Sequence, residues 1–164
     1  MNVDRKDIVY QKHLREEAGV WDKTAKEELK RHSPDYRHYK ETLPYQIYRH
    51  PFVDKMLAYI NPGDIVLELG CYNGWFTLEM ARRGAYVDAH DIARGAVEIA
   101  QEYYNQTKKK ERYNGTVSYH VTDLNFPEFP KNYYDVVVIR NVLHHIVNLR
   151  QLFEKLNKSL KPNG

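Results

Sequence analysis

The chain has 164 residues, 42% of them hydrophobic, which suits one domain able to bury roughly 70% of the surface its unfolded form exposes. A formal charge of +3, from 25 Lys and Arg against 22 Asp and Glu, is too balanced to demand a nucleic-acid partner. The single cysteine, Cys71, excludes an internal disulfide framework, and no apolar run approaches the ~20 residues needed to span a bilayer. Met1 to Lys6 does not lead into a secretory apolar region, so the expectation is a cytoplasmic protein without membrane attachment.

Leu14, Ala18, Trp21, Ala25 and Leu29 recur at steps of three or four, which predicts a helix with one apolar stripe and with Glu16, Glu17, Lys23 and Lys26 elsewhere. Ser33-Pro34 breaks it. Trp21 reads equally as core packing or as a ligand contact. Tyr36, Tyr39, Tyr45 and Tyr48 stand near Arg or Lys, where base stacking is open to them, although snorkelling aromatics need no such partner. Pro51 suits a first helical turn, with Phe52, Val53, Met56, Leu57 and Ile60 as the buried face of a helix leading to Asn61-Pro62-Gly63. Residues 1–60 therefore read as a helical extension or cap, and residues 61–164 as a second unit.

Ile65-Val66-Leu67 is β-prone, follows a Pro-Gly turn, and ends in the acid Glu68 before Gly70 and Gly74. Lacking a Cβ, the two glycines let the backbone turn sharply and approach a ligand closely, and a helix opens just after them. Ala85 to Ile92 reads as a second strand, with Asp91 about 20 residues beyond the glycine turn, where an acid can accept from ribose hydroxyls. Asp91 can equally cap the helix that starts near Ala93, and the two roles are compatible. That helix runs through Ala96 to Tyr104, and the basic run Lys108 to Arg112 reads as its solvated C-terminal end. Val117 to Val121 is a third strand closed by Asp123-Leu124, where Asp123 either accepts from a ligand amino group or is an ordinary loop acid. Phe126 to Pro130 offers apolar lining. Val136 to Ile139 has the near-continuous apolar character of a central parallel strand, and it runs into Arg140-Asn141-Val142-Leu143-His144-His145. Leu149, Leu152, Phe153, Leu156 and Leu160 form a last helical stripe before Lys161-Pro162-Asn163-Gly164.

Glu68-Leu69-Gly70-Cys71-Tyr72-Asn73-Gly74 resembles the first motif, acid-x-Gly-x-Gly-x-Gly, of class I S-adenosylmethionine-dependent methyltransferases, with Tyr72 in place of the middle glycine. A nicotinamide dinucleotide turn would want Gly-x-Gly-x-x-Gly, which is absent. The resemblance implies an α/β fold: a Rossmann-like three-layer sandwich on a mostly parallel sheet, in order 3-2-1-4 for the strands present, with an N-terminal helical cap. It implies S-adenosylmethionine as cofactor and S-adenosylhomocysteine as product. Glu68 is then an acid near the methionine portion, and Gly70, Cys71, Tyr72, Asn73 and Gly74 form the turn around the ligand. Asp91 becomes the ribose acid and Asp123 the adenine acid, with Ile92 and Leu124 sandwiching the base and Asn141 at the end of the fourth strand beside the transferable methyl. An oxygen or nitrogen atom of a small-molecule acceptor is the implied methyl target.

His144 and His145 are the candidate bases, because imidazole titrates near neutral pH. Alternatively one packs below the sheet and the other caps the following helix. A metal role lacks a third ligand at recognisable spacing. An RNA methyltransferase and a cofactor-binding module without catalysis are the other readings. Full family members carry seven strands, so the chain reads as a fragment truncated before strand five. Its fourth strand would then have an unpaired edge, either joining a second copy or covered by the N-terminal helices.

Overall fold

The computed structural model describes residues 4–35, 37 and 50–164; Tyr36, Tyr39, Tyr45 and Tyr48 lie outside the described residues. Helix α1 (Ile8–Leu29) starts where Asp7 accepts from the amides of Val9 and Tyr10, at 2.8 and 3.1 Å, the bonds expected of an N-cap carboxylate. It ends at Lys30, a few residues before Ser33-Pro34. Helix α2 (His50–Ala58) follows, then β1 (Ile65–Leu69), α3 (Trp75–Arg82), β2 (Tyr86–Asp91), α4 (Arg94–Thr107), β3 (Thr116–Val121), β4 (Val136–Ile139), a 3-10 turn (Leu143–His145) and α5 (Leu149–Ser159).

The four strands are parallel in the order β3-β2-β1-β4, as expected from the sequence. Alternation along β1 divides the core. Val66 joins Phe76, Leu78, Val87 and Val97 on the face covered by α3 and α4, whereas Leu67 and Leu69 join Leu152 and Leu156 of α5 on the other. Helices α3 and α4 follow β1 and β2 onto one face and α5 follows β4 onto the opposite one, so the winding reverses between β1 and β4. In such open sheets the crevice at the strand C-termini at this reversal is where ligands settle.

Two details differ from the sequence reading. Leu29, assigned to the buried stripe of α1, is 46% exposed, and Phe52 of α2 is 70% exposed, while Val53, Leu57 and Ile60 are buried as expected. The inward face of α1 is mixed in character because it rests on α4 and on the strand tips, not on the main core. Asp35 fixes the segment beyond α1. Its carboxylate accepts from Arg37 and Arg82, both at 2.8 Å, and from the Tyr103 hydroxyl at 3.1 Å. Burial alone would raise the pKa of this carboxyl, but Arg37 and Arg82 outweigh it and hold the group well below the usual carboxylate range.

The outer edge of β4 meets the end of the chain at its foot. Tyr134 and Leu160 form a parallel bridge, and the Lys161 amide donates to the Tyr134 carbonyl at 2.9 Å. Among the described residues, α1 packs on α4 and meets the turn after β4 at the strand tips, where Glu17 and Trp21 contact His145. Among the described residues no helix is long and apolar enough to cross a membrane.

Candidate functional site

A cavity of about 250 Å³ opens at the C-terminal ends of the strands, between the glycine turn, the tips of β2, β3 and β4, and the inward face of α1. Gly70, Tyr72, Asp91, Ile92, Asp123, Leu124, Asn141 and His145 line it, so residues spread over some 75 positions of sequence converge there. Glu68, Cys71, Asn73, Gly74 and His144 lie outside the lining.

Asp91 is the organising acid. One carboxylate oxygen accepts from the Tyr72 amide at 2.8 Å and the other from the Ala93 amide at 2.9 Å, so the group clamps the glycine turn to the entry of α4. Burial raises its pKa, opposed by the amides of Ala93, Tyr72 and Ile92. A carboxylate has about four lone-pair sites, so it can still accept from a further donor on the cavity side. The clamp also explains how a tyrosine replaces the expected glycine. Tyr72 has φ +51°, in the left-handed region that disfavours side-chain-bearing residues, and its amide is held there by Asp91. Asn141, at the β4 tip, has φ +56°. Non-glycine residues in this conformation concentrate at ligand sites, and both of these face the cavity.

The glycines are demanded by the chain's own packing. Gly70 has φ +77°, and a Cβ there would stand 2.7 Å from Val142 Cβ. Gly74 has φ +78°, and a Cβ would stand 2.8 Å from Ala100 Cβ and collide with the Tyr119 hydroxyl. Glu68 is fully buried beside them, accepting from the Thr77 hydroxyl, with no partner for its other oxygen among the described residues. Burial is the main cause that pushes its pKa up to about 7, against the lowering effects of Thr77 and Arg140. Burial likewise pushes the Cys71 thiol up, which leaves it a packing residue without thiolate character.

Asp123 is already engaged. The Tyr10 hydroxyl sits 2.7 Å from each of its oxygens, and the Asn125 amide donates to one of them at 3.0 Å. Burial and the Asp123 carboxylate together raise the Tyr10 pKa, so Tyr10 remains a donor. The two histidines separate: His145 lines the cavity with Nδ1 2.7 Å from Glu17, while His144 is exposed. Neither caps α5, whose N-cap is Asn148. Phe126 to Pro130 is absent from the lining; Phe126 meets the Tyr10 ring at 5.7 Å and Phe129 packs into the α5 face of the core.

Several lining residues were not singled out from the sequence. Glu17 belongs to the inward face of α1, not to its solvent side, and Glu28 joins it there. The steps Leu14, Glu17, Trp21, Glu28 keep helical spacing, so the signal was an acid interleaved in an apolar stripe. Arg140 follows β4 directly. Its guanidinium stacks over the Trp75 ring, 4.3 Å from the centroid, and thus enters the wall of the cavity as a cation held on an aromatic face. Trp21 packs against the Tyr72 ring at 5.8 Å and also lines the cavity. No cluster of three or more metal-ligating side chains occurs among the described residues.

Residues 36–164 match the profile of a methyltransferase domain. Phosphoethanolamine N-methyltransferase 2 of Caenorhabditis elegans is 29% identical over 111 residues, covering 67% of this chain and 24% of that protein. Ubiquinone biosynthesis O-methyltransferase of Rickettsia akari (strain Hartford) is 30% identical over 100 residues, covering 60% of this chain and 37% of that protein. The chain thus spans between a quarter and two fifths of these relatives' lengths. In structure it is similar to Haemonchus contortus phosphoethanolamine N-methyltransferase 1, solved with phosphoethanolamine and S-adenosylhomocysteine. That alignment has a TM-score of 0.65 at 17% identity and covers 90% of this chain and 30% of that one.

Proposed function

Because this chain belongs to the methyltransferase-domain family, we propose that it binds S-adenosylmethionine at the strand tips and directs the methyl group to an oxygen or nitrogen atom of a small-molecule acceptor. The observation that carries the reading is the placement of Asp91, Ile92, Asp123 and Leu124 in the lining of one cavity, next to the turn that contains Gly70. The donor set fits the ligand. Asp91 offers an acceptor for ribose hydroxyls, Ile92 and Leu124 supply apolar faces for a flat base, and Asp123 keeps lone-pair capacity for an amino group beside its bonds to Tyr10 and Asn125. Among the described residues of the lining, the acids Glu17, Glu28, Asp91 and Asp123 outnumber the cation Arg140, which favours a positively charged ligand such as a sulfonium.

When bound, the cofactor supplies an electrophilic methyl carbon. The chain's own contribution is to position and to exclude water: an in-line displacement needs the acceptor atom about 3 to 3.5 Å from that carbon, and a cavity walled by Trp21, Tyr72 and Trp75 restricts what can approach. Glu68 acts from behind the lining, holding α3 to β1 through Thr77. A cavity of this size favours a small acceptor over a nucleic-acid chain.

Isothermal titration calorimetry with S-adenosylhomocysteine tests the reading. Micromolar binding by the wild-type chain that is lost in Asp91→Ala, with Asp88→Ala on the same strand retaining it, supports the site. No heat at millimolar ligand from the folded wild-type chain overturns it.

A further inference from the structure

We propose that Glu17 and His145 form a proton-accepting dyad in which His145 Nε2 takes the proton from the acceptor's nucleophilic atom and Glu17, reaching in from α1, fixes the ring. The inference rests on the methyltransferase reading above and deepens it, because it selects one histidine of the pair, assigns its partner, and restricts the acceptor to a group that arrives carrying a proton, such as a phenolic hydroxyl.

Three observations carry it. His145 Nδ1 lies 2.7 Å from a Glu17 carboxylate oxygen, and since a carboxylate can only accept, Nδ1 is the protonated nitrogen. The tautomer that this leaves has a lone pair on Nε2, and Nε2 is buried with no hydrogen-bond partner among the described residues. Both side chains line the cavity at the strand tips, on the wall formed by α1 and the turn after β4. The imidazole is also confined by its neighbours. Trp21 meets it edge-on, at 6.0 Å and 89°, and the His144 ring lies 3.9 Å away at 44°. A ring that borders the cavity, anchored through Nδ1 by a carboxylate and keeping a lone pair on Nε2, is the arrangement a general base requires, and closing on the acceptor has to bring the two atoms into contact.

The chemistry balances. The proton passes from the acceptor atom to Nε2, and the electron pair it leaves forms the new bond to the methyl carbon. The carbon–sulfur pair stays on sulfur, which changes from a cationic sulfonium to a neutral thioether. The positive charge released there reappears on the imidazolium, next to the Glu17 carboxylate. Glu17 touches neither ligand in this scheme and is a positioning residue acting through His145.

Nitrogen-detected proton NMR of the histidine rings in the full chain reads the tautomer without requiring turnover. The wild type is expected to show His145 protonated at Nδ1 with under about a tenth as the Nε2-protonated form, and Glu17→Ala to raise that share above about half, since the anchor for Nδ1–H is gone. His144→Ala should leave the His145 tautomer unchanged. Addition of phenol as a protic probe, in the presence of S-adenosylhomocysteine, should move the Nε2 resonance. A wild-type His145 protonated at Nε2, a tautomer indifferent to Glu17→Ala, or an Nε2 resonance unmoved by phenol would each overturn the dyad. Calorimetric binding of S-adenosylhomocysteine, measured on the same samples, reports separately on the cofactor site. A normal heat with the wrong tautomer sinks the dyad alone, and no heat with the expected tautomer sinks the methyltransferase reading.

Discussion

Tyr10 places its single hydroxyl 2.7 Å from both oxygens of Asp123, so the first turn of α1 is tied to the loop beyond β3, 113 residues later in the chain. The cavity at the strand tips is thereby closed on one side by a helix that is not part of the sheet's own wrapping. Further along α1, Glu17 meets His145, Trp21 meets Tyr72, and Glu28 accepts from the Asn73 amide group at 3.2 Å. Helix α1 is a wall of the site, stitched to three separate strand ends.

Removing the Tyr10 hydroxyl tests that stitching. Tyr10 is 9% exposed and its bond to Asp123 is charge-assisted, a class worth about 1.5 to 3 kcal/mol. Tyr10→Phe keeps the ring contact with Phe126, so the loss belongs to the hydrogen bond. The expected outcome is a fall in melting temperature of about 3–12 °C and faster amide exchange in α1 with little change in β1. Unchanged exchange in α1 would show that the Tyr10 bond does not hold the helix down.

The glycine turn yields a prediction about fold. In Gly74→Ala the new methyl would have to sit at φ +78°, 2.8 Å from Ala100 Cβ and against the Tyr119 hydroxyl. The left-handed conformation costs about 1–2 kcal/mol and the collision adds to it, since α4 cannot retreat without opening the core. Urea unfolding should show a loss on the order of 3 kcal/mol. A loss below about 0.5 kcal/mol would mean that the turn and α4 are not in the contact described.

Glu68 gives a pH signature. Its carboxyl titrates near 7 in the folded chain against about 4.3 in an unfolded one, so the folded state binds its proton more tightly. The sign follows: the contribution is fully present below about pH 4.3 and is lost as pH rises through about 7, a loss on the order of 3 kcal/mol. His90 works in the opposite direction. Burial first, and then the neighbouring His120, lower its pKa to about 4, so its linkage raises stability as pH climbs from about 4 to 6.5 and masks part of the Glu68 effect. The difference between wild type and Glu68→Gln isolates the acid: relative to the variant, the wild type should lose stability between pH 4.5 and 7.5 in denaturant titrations. A difference that is flat with pH would show that Glu68 is charged in the fold at neutral pH.

Much of the fold was legible locally. The apolar runs at Val66, Val87, Val117 and Val138, each followed by a helix-period segment or a turn, specify parallel strands with crossovers, and right-handed winding then leaves few orders to choose from. Asp91, Ile92, Asp123, Leu124 and His145 were legible because acids and a histidine at strand tips interrupt strongly apolar stretches. What escaped was contributed from a distance. Glu17 looks like any solvated helix acid until α1 is laid across the strand tips, and nothing near Asp123 in sequence indicates that Tyr10 will occupy it. The sequence left the β4 edge to a second copy or to the N-terminal helices, and it did not show that α1 would pack on α4, where Ala25 fits against Ala93 and Ala96.

The start of α4 shows the same long-range supply and gives the last test. Its N-cap residue, Ala93, has no side chain able to accept from the helix amides, so the first turn would be left with unsatisfied donors. Asp22 of α1 fills the gap, accepting from Gly95 N at 2.6 Å and Ala96 N at 3.2 Å with one carboxylate oxygen. The absence of a Cβ at Gly95 permits this approach, since one would lie 3.0 Å from the Asp22 carboxyl carbon. A capping acid also meets the positive end of the helix dipole. Asp22→Ala should therefore cost about 1 to 2 kcal/mol, and Asp22→Asn, which keeps an acceptor without the charge, should recover about half of it. The two variants separate capping from simple packing, because a packing role would leave Asn as good as Asp. Since Asp91 binds the amide of Ala93 just ahead of this turn, fraying of α4 in Asp22→Ala should also weaken S-adenosylhomocysteine binding several-fold by calorimetry. Retained affinity in a variant with measurably frayed α4 would show that the Asp91 clamp stands without help from α1.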